Sequence, residues 1–394
     1  MHQRAAKASF KIASLNIKGR KSGEIEKWMH IPQVIRENNI AAMAVQETHL
    51  TDDLANQFQG LFGTRLTIHY SPDPQTRNAR GVAIVLNKKY LKTDDVRETV
   101  IVPGRAIMVN LPWQDTQRIN ILAIYAPNSP REIKEFWKTI TRKLNGTQPD
   151  VTLGDFNLVE DAIDRIPSKI DDPQAMEALR EFKIKFNLVD GWRKANPTNK
   201  TYTWSRESDG TQSRIDRIYV RDDIFNECSN WETAPSPIPS DHDLITARIS
   251  TPTSPKIGRG RWAIPTRLIK NKTIKKEIQM LGLKLQEDME RSQRRATGYR
   301  PQRLLKEFKT KVRDMIRAHE KKIQPMIKTR INNLSEKLLK VFNDPNLQTD
   351  EIKIAATQIK KEIQSLTRDL HHGNRNTVAA VDAAEGEKIG KTWS

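Results

Sequence analysis

The chain has 394 residues and a single cysteine, and its 67 Lys and Arg against 48 Asp and Glu give a formal net charge of +19. This length predicts one large or two unequal domains, the charge disfavours a neutral metabolic enzyme, and the lone Cys228 excludes internal disulfides and cysteine-rich zinc sites. The apolar runs fall well short of the roughly 20 residues of a transmembrane helix and no signal peptide is evident, so we expect an intracellular protein with neither a membrane nor a disulfide partner.

Residues 1–250 are dominated by short runs rich in β-branched and aromatic residues, which predict strands. In chain order the predicted strands are 10–17, 41–45, 66–70, 82–86, 107–111, 119–125, 151–153, 202–204, 215–220 and 244–249. Apolar residues at helical spacing predict helices over 25–38, 131–144 and 174–186. Many strands with few helices in a stretch of this length favour a β-sandwich flanked by helices.

The composition changes after residue 250. A cluster of Pro, Gly, Ser and Thr over 251–260 is not expected to pack as helix or strand, and we interpret 251–262 as a linker between a first domain, 1–250, and a basic helical region, 263–394. The helices predicted in that region span 273–295, 301–342 and 350–370. Residues 251–394 carry +16 of the net charge and residues 1–250 only +3. Such a basic region predicts a grip on a phosphate backbone, with a merely solvated face as the alternative.

Polar residues stand at the ends of the predicted strands, where packing alone would not favour them. They are Asn16, Glu47, Tyr125, Asp155, Asn157, Asp216, Asp241 and His242. Hydrolysis of a phosphate ester needs oxygen ligands for a divalent cation, a base for the attacking water, and a cation or imidazole for the developing negative charge. All of these residue types are present, and strand ends converge naturally on one rim of a sandwich.

Each of these residues also has an ordinary structural interpretation. An isolated Asn16 or Asn157 is most often a turn residue, and Asp155 after a glycine is most often a turn former. Glu47 alone would most often cap a helix or face solvent, and a tyrosine before a proline is most often a core residue. His242 is the least ordinary, because a carboxylate on each side suits an imidazole that is held charged or oriented.

The order of the motifs is more specific than any one of them. The sequence reads Leu-Asn-Ile at 15–17, Gln-Glu-Thr at 46–48, Tyr-Ala-Pro at 125–127, Gly-Asp-Phe-Asn at 154–157, Ser-Arg-Ile-Asp-Arg-Ile at 213–218 and Ser-Asp-His at 240–242. This series resembles the endonuclease/exonuclease/phosphatase superfamily of DNase I and exonuclease III. The resemblance implies an α+β fold, a four-layer α/β/β/α sandwich of two mostly antiparallel sheets, followed here by a basic α-helical extension.

The sequence around these motifs is similar to the endonuclease domain of LINE-type non-LTR retrotransposons. Similar stretches are AMAVQETHL at 42–50, IYAPN at 124–128, LGDFN at 153–157, LVDGWR at 188–193, SRIDRIYV at 213–220 and RGRW at 259–262. No polymerase motif follows in this sequence, so we expect an amino-terminal piece of such an element or a stand-alone relic of one.

The resemblance implies roles for the metal ion and the water. Glu47 is expected as the main ligand of Mg²⁺, for which Mn²⁺ could substitute, and Asn16 and Asp241 are expected close to the same ion. Asp155 would position or deprotonate the attacking water, and Asn157 would help to orient it and the phosphate.

The resemblance also implies contacts with the substrate. His242 would bind the scissile phosphate, with Asp216 accepting from its other ring nitrogen, and Tyr125 would donate to a phosphate oxygen. Abasic-site repair members have an acidic residue two places after the first asparagine, where this chain has Lys18, which argues against that branch. The remaining expected nucleic-acid contacts, beside Lys18, are Arg20, Lys21, Thr203, Ser208, Asp209 and Gly210.

Ser208, Asp209 and Gly210 lie in a polar turn, 207–212, that would sense the shape of the minor groove more than base identity. For the basic residues near Lys18, a solvated loop is an equal alternative.

Together these roles predict a Mg²⁺-dependent endonuclease that hydrolyses a phosphodiester bond in one strand of duplex DNA and leaves a 3′-hydroxyl, as in target-primed reverse transcription by a retrotransposon. Two alternatives stay open: a phosphatase of small phosphate esters, and a decayed nuclease that only binds nucleic acid. Duplex DNA is the expected partner, and element RNA is a further candidate through the basic helices. The substrate implies a nuclear location, or otherwise a cytoplasmic one.

Overall fold

A computed structural model of the chain describes residues 6–7, 9–19, 24–75, 80–113, 117–144, 146–250, 256–257, 272–294 and 301–386. Its α-helices are α1 (Glu24–Glu37), α2 (Asp52–Phe62), α3 (Pro130–Lys143), α4 (Pro173–Lys185), α5 (Gly191–Ala195), α6 (Lys272–Arg294), α7 (Pro301–Asn343) and α8 (Thr349–Gly386). Its strands are β1 (Ala6–Lys7), β2 (Ser9–Asn16), β3 (Ile40–Gln46), β4 (Leu66–Ser71), β5 (Val82–Asn87), β6 (Arg97–Val102), β7 (Ala106–Trp113), β8 (Gln117–Tyr125), β9 (Val151–Asp155), β10 (Arg165–Ile166), β11 (Leu188–Asp190), β12 (Trp204–Ser205), β13 (Gln212–Ser213), β14 (Asp216–Arg221), β15 (Cys228–Pro235), β16 (Asp243–Ser250) and β17 (Lys256–Ile257). Within these ranges, every helix is too polar or too short to cross a bilayer.

Two six-stranded sheets form the centre of the fold. Their strand orders are β15-β16-β2-β3-β5-β4 and β11-β14-β9-β8-β7-β6. Neighbouring strands are antiparallel, except that the central pairs β2–β3 and β8–β9 are parallel. Apolar side chains such as Ile12 and Ile84 of the first sheet and Ile121 and Leu153 of the second share one buried core between the sheets.

Helices cover the outer face of each sheet. Trp28 of α1 and Phe58 of α2 are buried against the first sheet, and Trp137 of α3 and Phe182 of α4 are buried against the second. Apolar residues at helical spacing provide these buried faces, because residues three and four apart lie on one side of a helix. The predicted four-layer α/β/β/α sandwich is therefore confirmed.

Several elements of this domain were not predicted from the sequence, among them strands β6 and β15 and helix α2. Strands β6 and β15 are edge strands, and their partly exposed side chains dilute the apolar signal that a central strand gives. Helix α2 did carry a local signal, since the Thr51 hydroxyl accepts from the Leu54 amide and two aspartates fill the first turn. Most of the predicted linker lies outside the described residues, but Lys256 and Ile257 pair with β1, where no strand was expected.

The chain divides into two compact units, Met1–Gly258 with Lys337–Gln364 and Arg259–Glu336 with Ser365–Ser394. In the first unit, the end of α7 meets the sandwich where the Phe342 and Tyr202 rings pack edge to face with centroids 4.8 Å apart. In the second unit, α6 and α7 pack through a small apolar cluster that includes Ile274 and Ile316. The basic helical extension is present, and the packing of residues 337–364 with the nuclease-like sandwich was not predicted.

Candidate active site

The strand topology brings the predicted residues to one edge of the sandwich. Strands β2 and β3 are parallel, so Asn16, which ends β2, and Glu47, which follows β3, lie at the same edge. Strands β8 and β9 are also parallel and end together in Tyr125 and Asp155. Strands β14 and β16 are antiparallel to their neighbours and begin at this edge. They add Asp216, Asp241 and His242.

Asn16 joins the two sheets at this edge. Its buried side-chain Nδ2 donates to Glu47 Oε1 and to Asp155 Oδ2, both at 2.9 Å. The Tyr125 hydroxyl donates to the same Glu47 oxygen at 3.2 Å. Burial, reinforced by the Glu47 and Asp155 carboxylates, raises the pKa of Tyr125, so its hydroxyl stays protonated as a donor. The Asn16 side-chain oxygen accepts from the Lys18 amide at 2.9 Å.

His242 and Asp216 form a buried pair. The His242 Nδ1 lies 2.9 Å from Asp216 Oδ2, and the Thr203 hydroxyl donates to that same oxygen at 2.6 Å. Burial by itself lowers the pKa of His242, but the Asp216 carboxylate outweighs burial and raises the pKa to about 10. A protonated imidazole therefore keeps Nδ1 on Asp216 and leaves the Nε2–H for the site, where Asp155 Oδ2 is 4.0 Å away.

Asp155 is suited to take up a proton near neutral pH. Burial, together with the like charge of Asp216, raises the pKa of Asp155 to about 7. The Asn157 amide donates to Asp155 Oδ1 at 2.9 Å, and the Asn157 side-chain Nδ2 donates to the Ala126 carbonyl at 2.8 Å. The Asn157 backbone amide, two residues further along the chain, thus helps to hold the Asp155 carboxylate in place.

Two residues that line the groove have a strained backbone. Lys18 and Glu47 have φ values of +46° and +50°, in the left-handed region that residues other than glycine and asparagine rarely adopt. Each such residue costs of order 1–3 kcal/mol, and such residues cluster at functional sites. Their coincidence with the predicted residues supports a function at this edge.

Gly154 is required for Asp155 to reach its place. Its φ is +148°, and a Cβ there would lie 1.9 Å from the Ile124 carbonyl oxygen on the parallel neighbour β8. We expect Gly154→Ala to lower the free energy of unfolding in urea by more than the roughly 1–3 kcal/mol of backbone strain alone. The matched control is Gly146→Ala, because Gly146 also has a positive φ, +84°, but among the described residues no atom would lie within 4 Å of an added Cβ. Equal losses in the two variants would contradict the close-approach argument.

The site lines a groove of about 820 Å³. The predicted residues that line it are Lys18, Glu47, Asp155, Asn157, Asp241 and His242. Asn16, Tyr125 and Asp216 are buried behind that lining and hold it in place.

The groove fits a cation with oxygen ligands. Asp241 Oδ2 accepts from Lys18 Nζ at 2.6 Å and from Trp204 Nε1 at 3.2 Å, whereas Asp241 Oδ1 is buried and accepts no hydrogen bond from any residue that the structure describes. A buried carboxylate oxygen without a partner is costly, and a cation would satisfy it. Burial raises the pKa of Asp241, but the Lys18 ammonium outweighs burial and lowers the pKa, so this carboxylate is charged.

Asp155, Asp216 and His242 also present ligand atoms within 4.8 Å of one another. A protonated His242 is a poor ligand, however, because both of its nitrogens carry hydrogens. Glu47 and Asp241, whose carboxylates line the same groove, are the remaining candidates to hold a metal ion.

Three basic residues that line the groove were not predicted: Arg165, Lys169 and Arg206. They lie in or beside loops, where charge alone gives no signal that distinguishes a lining residue from a solvated one. Arg165 is held by Asp171, and the Arg206 guanidinium stacks over the Trp204 ring at 5.5 Å.

The predicted turn forms the tip of the β12–β13 hairpin. Its Gly210 amide donates to the Arg206 carbonyl at 3.0 Å, Asp209 Oδ1 accepts from the Thr211 amide at 3.0 Å, and Ser208 is exposed. The second strand of the hairpin is β13, a separate strand that precedes β14, rather than the predicted strand over 215–220.

The remaining four predicted nucleic-acid contacts are Thr203, Lys18, Arg20 and Lys21. Thr203 is 1 % exposed and its hydroxyl is used by Asp216, so a direct phosphate contact by Thr203 does not fit the structure. Lys18 lies beside the groove in an ion pair with Asp241. Arg20 and Lys21 lie outside the described residues.

Known proteins share this sequence pattern and this fold. The chain is 27 % identical over 274 residues to the uncharacterized 149 kDa protein of transposon TX1 from Xenopus laevis, an alignment that covers 68 % of this chain and 20 % of that protein. The chain thus spans about a fifth of that relative, whose transposon origin agrees with the resemblance to retrotransposon endonucleases.

Two AP endonuclease structures share the fold. The one from Leishmania major has a TM-score of 0.53 and 18 % identity over 62 % of this chain and 88 % of that one, and the one from Archaeoglobus fulgidus has a TM-score of 0.51 and 19 % identity over 61 % of this chain and 100 % of that one.

The motif order is also that of a known family. The Endonuclease/Exonuclease/phosphatase family matches residues 13–242, more than half of the chain. Members of this family hydrolyse phosphate esters with the help of a metal ion, which confirms the predicted class of enzyme. The chain belongs to the Endonuclease/Exonuclease/phosphatase family.

Proposed function

We propose that the chain is a Mg²⁺-dependent endonuclease that cuts one strand of duplex DNA and leaves a 3′-hydroxyl. The arrangement of Asp155 carries this proposal. Its Oδ2 lies 2.9 Å from Asn16 Nδ2 and 4.0 Å from the charged His242, in a groove lined by both carboxylates and basic residues. A base, an oxyanion donor and a set of hard oxygen ligands are thus within reach of one phosphate.

The residues divide the reaction between them. Asp155 takes the proton of a water molecule as its oxygen forms a bond to phosphorus, and the bond from phosphorus to the 3′ oxygen breaks, with that oxygen taking a proton from solvent. The His242 Nε2–H donates to a non-bridging phosphate oxygen, where negative charge accumulates. Glu47 and Asp241 would hold Mg²⁺, which when bound supplies Lewis-acid stabilisation of phosphate oxygens.

A polymer fits the groove better than a small ester. The basic residues Lys18, Arg165, Lys169 and Arg206 line the same groove as the carboxylates, and the whole chain carries +19. Cations along an open groove suit a continuous phosphate backbone, which also supports duplex DNA as the partner and the nucleus as the location. The hairpin 206–211 beside the groove would read the minor groove by its shape.

The test is conversion of supercoiled plasmid to open circle by the full chain in Mg²⁺. We expect Glu47→Gln to raise the Mg²⁺ concentration for half-maximal nicking by at least about tenfold, because a ligating carboxylate charge is lost while Oε1 can still accept from Asn16. Glu177→Gln, an exposed glutamate on α4, is the control and should leave the Mg²⁺ dependence unchanged. The proposal is wrong if the parent chain nicks in neither Mg²⁺ nor Mn²⁺, and release of phosphate from inositol polyphosphates instead would favour a phosphatase.

A further inference from the structure

One charged side chain of helix α8 lies in the interior of the first unit. Lys360 is 6 % exposed, and its Nζ lies 3.1 Å from Asp243 Oδ2 and 3.2 Å from the Tyr202 carbonyl oxygen. A buried ammonium is costly unless it is paired and hydrogen-bonded, and here a carboxylate and a carbonyl meet both needs. The contact is therefore a specific one and not a solvated lysine that happens to lie close.

The two partners of Lys360 are direct chain neighbours of active-site residues. Asp243 follows His242, and Tyr202 precedes Thr203, whose hydroxyl donates to the Asp216 oxygen that faces His242 Nδ1. Lys360 thus contacts both segments that hold the imidazole and its carboxylate together. Lys360 itself does not line the groove, so it does not touch the substrate.

The two segments are otherwise joined by a short backbone pairing and by the hydrogen bond from Trp204 Nε1 to Asp241 Oδ2 at 3.2 Å. Trp204 and His242 form an isolated bridge and not a continuous ladder. The Asp243 amide donates to the Thr203 carbonyl at 2.7 Å, and the Ser205 amide donates to the Asp241 carbonyl at 3.1 Å. This pairing is short, although the second segment continues directly into β16. The Lys360 bridge joins the same two segments from outside the pairing.

Apolar contacts fix the position of Lys360. Ile352, Ala356, Ile359 and Ile363 are buried and recur at the spacing of one helix face, so α8 packs in a defined rotation. The same helix meets the hairpin tip, where a Cβ on Gly210 would lie 3.0 Å from Lys353 Cβ. The Lys360 side chain is thus held in place by a helix, α8, whose rotation is fixed by its packing.

We propose that Lys360 is a positioning residue of the active site, which ties the Thr203 segment to the His242 segment and so keeps His242 aligned on Asp216. The inference rests on the proposed endonuclease function. It makes part of the basic helical extension a component of the catalytic domain, although residue 360 lies well beyond the matched family region 13–242.

The main test is the double variant Lys360→Met with Asp243→Asn in the full chain. Lys360→Met alone would leave the buried Asp243 carboxylate without its counter-charge and could unfold the protein, whereas removing both charges leaves no uncompensated ion. We expect the double variant to lower kcat for plasmid nicking by roughly tenfold to a hundredfold, since a misplacement of about 1 Å in an active site has effects of this size. KM and the melting temperature should stay near those of the parent, because no groove residue is removed.

Lys340→Met, which changes an exposed lysine of α7 in the same unit, is the control and should match the parent. A double variant with the kcat of the parent overturns the inference while the endonuclease function stands. A loss of kcat that only follows a loss of folded protein, or a change in KM alone, also overturns it, because either would show a role other than alignment. If the parent chain does not nick DNA at all, the failure is that of the proposed function.

Discussion

Asp155→Asn is expected to lower kcat for plasmid nicking by about 10²–10⁴-fold, the range lost with a general base. The replacement has the same shape, and its amide oxygen can still accept from Asn16 Nδ2, which in the parent donates to Asp155 Oδ2 at 2.9 Å. It cannot take a proton from water, however, and it presents no negative charge to His242. Initial rates of open-circle formation at saturating Mg²⁺ measure the effect.

Asp223→Asn, which removes an exposed aspartate paired with Arg221, is the control and should nick at the rate of the parent. Binding of the plasmid should be retained in both variants, because the basic residues of the groove are unchanged. An Asp155→Asn protein that is folded and nicks as fast as the parent would show that another group takes the proton.

Asp164→Asn is expected to lower the free energy of unfolding by about 3–5 kcal/mol, as measured by urea denaturation. The Asp164 carboxylate is fully buried and accepts from Arg214 Nε at 2.8 Å and Nη2 at 2.7 Å. Arg193 also donates to it, and the buried Arg217 lies 3.6 Å away. Removing the charge leaves several buried guanidinium groups with too few counter-charges. Arg214 and Arg217 flank Asp216 in the sequence, so the catalytic pair would loosen as well.

The same carboxylate predicts a pH dependence of stability. Burial alone raises the pKa of Asp164, but the Arg214 hydrogen bonds and charge outweigh burial and lower the pKa to about 2, from an ordinary value of 3.8. A pKa that is lowered on folding stabilises the protein fully above the unfolded value, and that stability is lost as the pH falls through about 2. The contribution is about 2 kcal/mol. The parent should therefore lose more stability between pH 4 and pH 2 than Asp164→Asn.

Glu177→Gln is the control for this prediction, because Glu177 pairs with Arg180 on an exposed helix surface and such pairs contribute little. Its free energy of unfolding should stay within about 0.5 kcal/mol of the parent. If Asp164→Asn also stayed within 1 kcal/mol or so, the buried network would not be a main source of stability.

Local patterns determined much of the fold. Central strands such as β3 and β5 are buried on both faces and give nearly continuous apolar runs, whereas the edge strands β6 and β15 expose much of their surface and were not predicted. The motif order placed Asn16, Glu47 and Asp155 at strand ends, and parallel neighbours then had to bring those ends to one edge. Family membership followed from that order as well, because it depends on residue types and spacing alone.

The properties that depend on burial and on long-range contacts were decided by the tertiary structure. Burial and the Asp216 charge raise the pKa of Asp155, whereas the Asp216 carboxylate raises the pKa of His242 against the effect of burial. None of these effects can be read from a strand end. The use of the Thr203 hydroxyl by Asp216, against the expected phosphate contact, depends on the pairing of two segments that are not neighbours in the chain. The Lys360–Asp243 contact joins residues 117 positions apart, and a lysine among many others on a basic helix carries no local sign of burial. A sequence specifies which side chains are available, but only the packed chain determines which of them lose water and gain a partner.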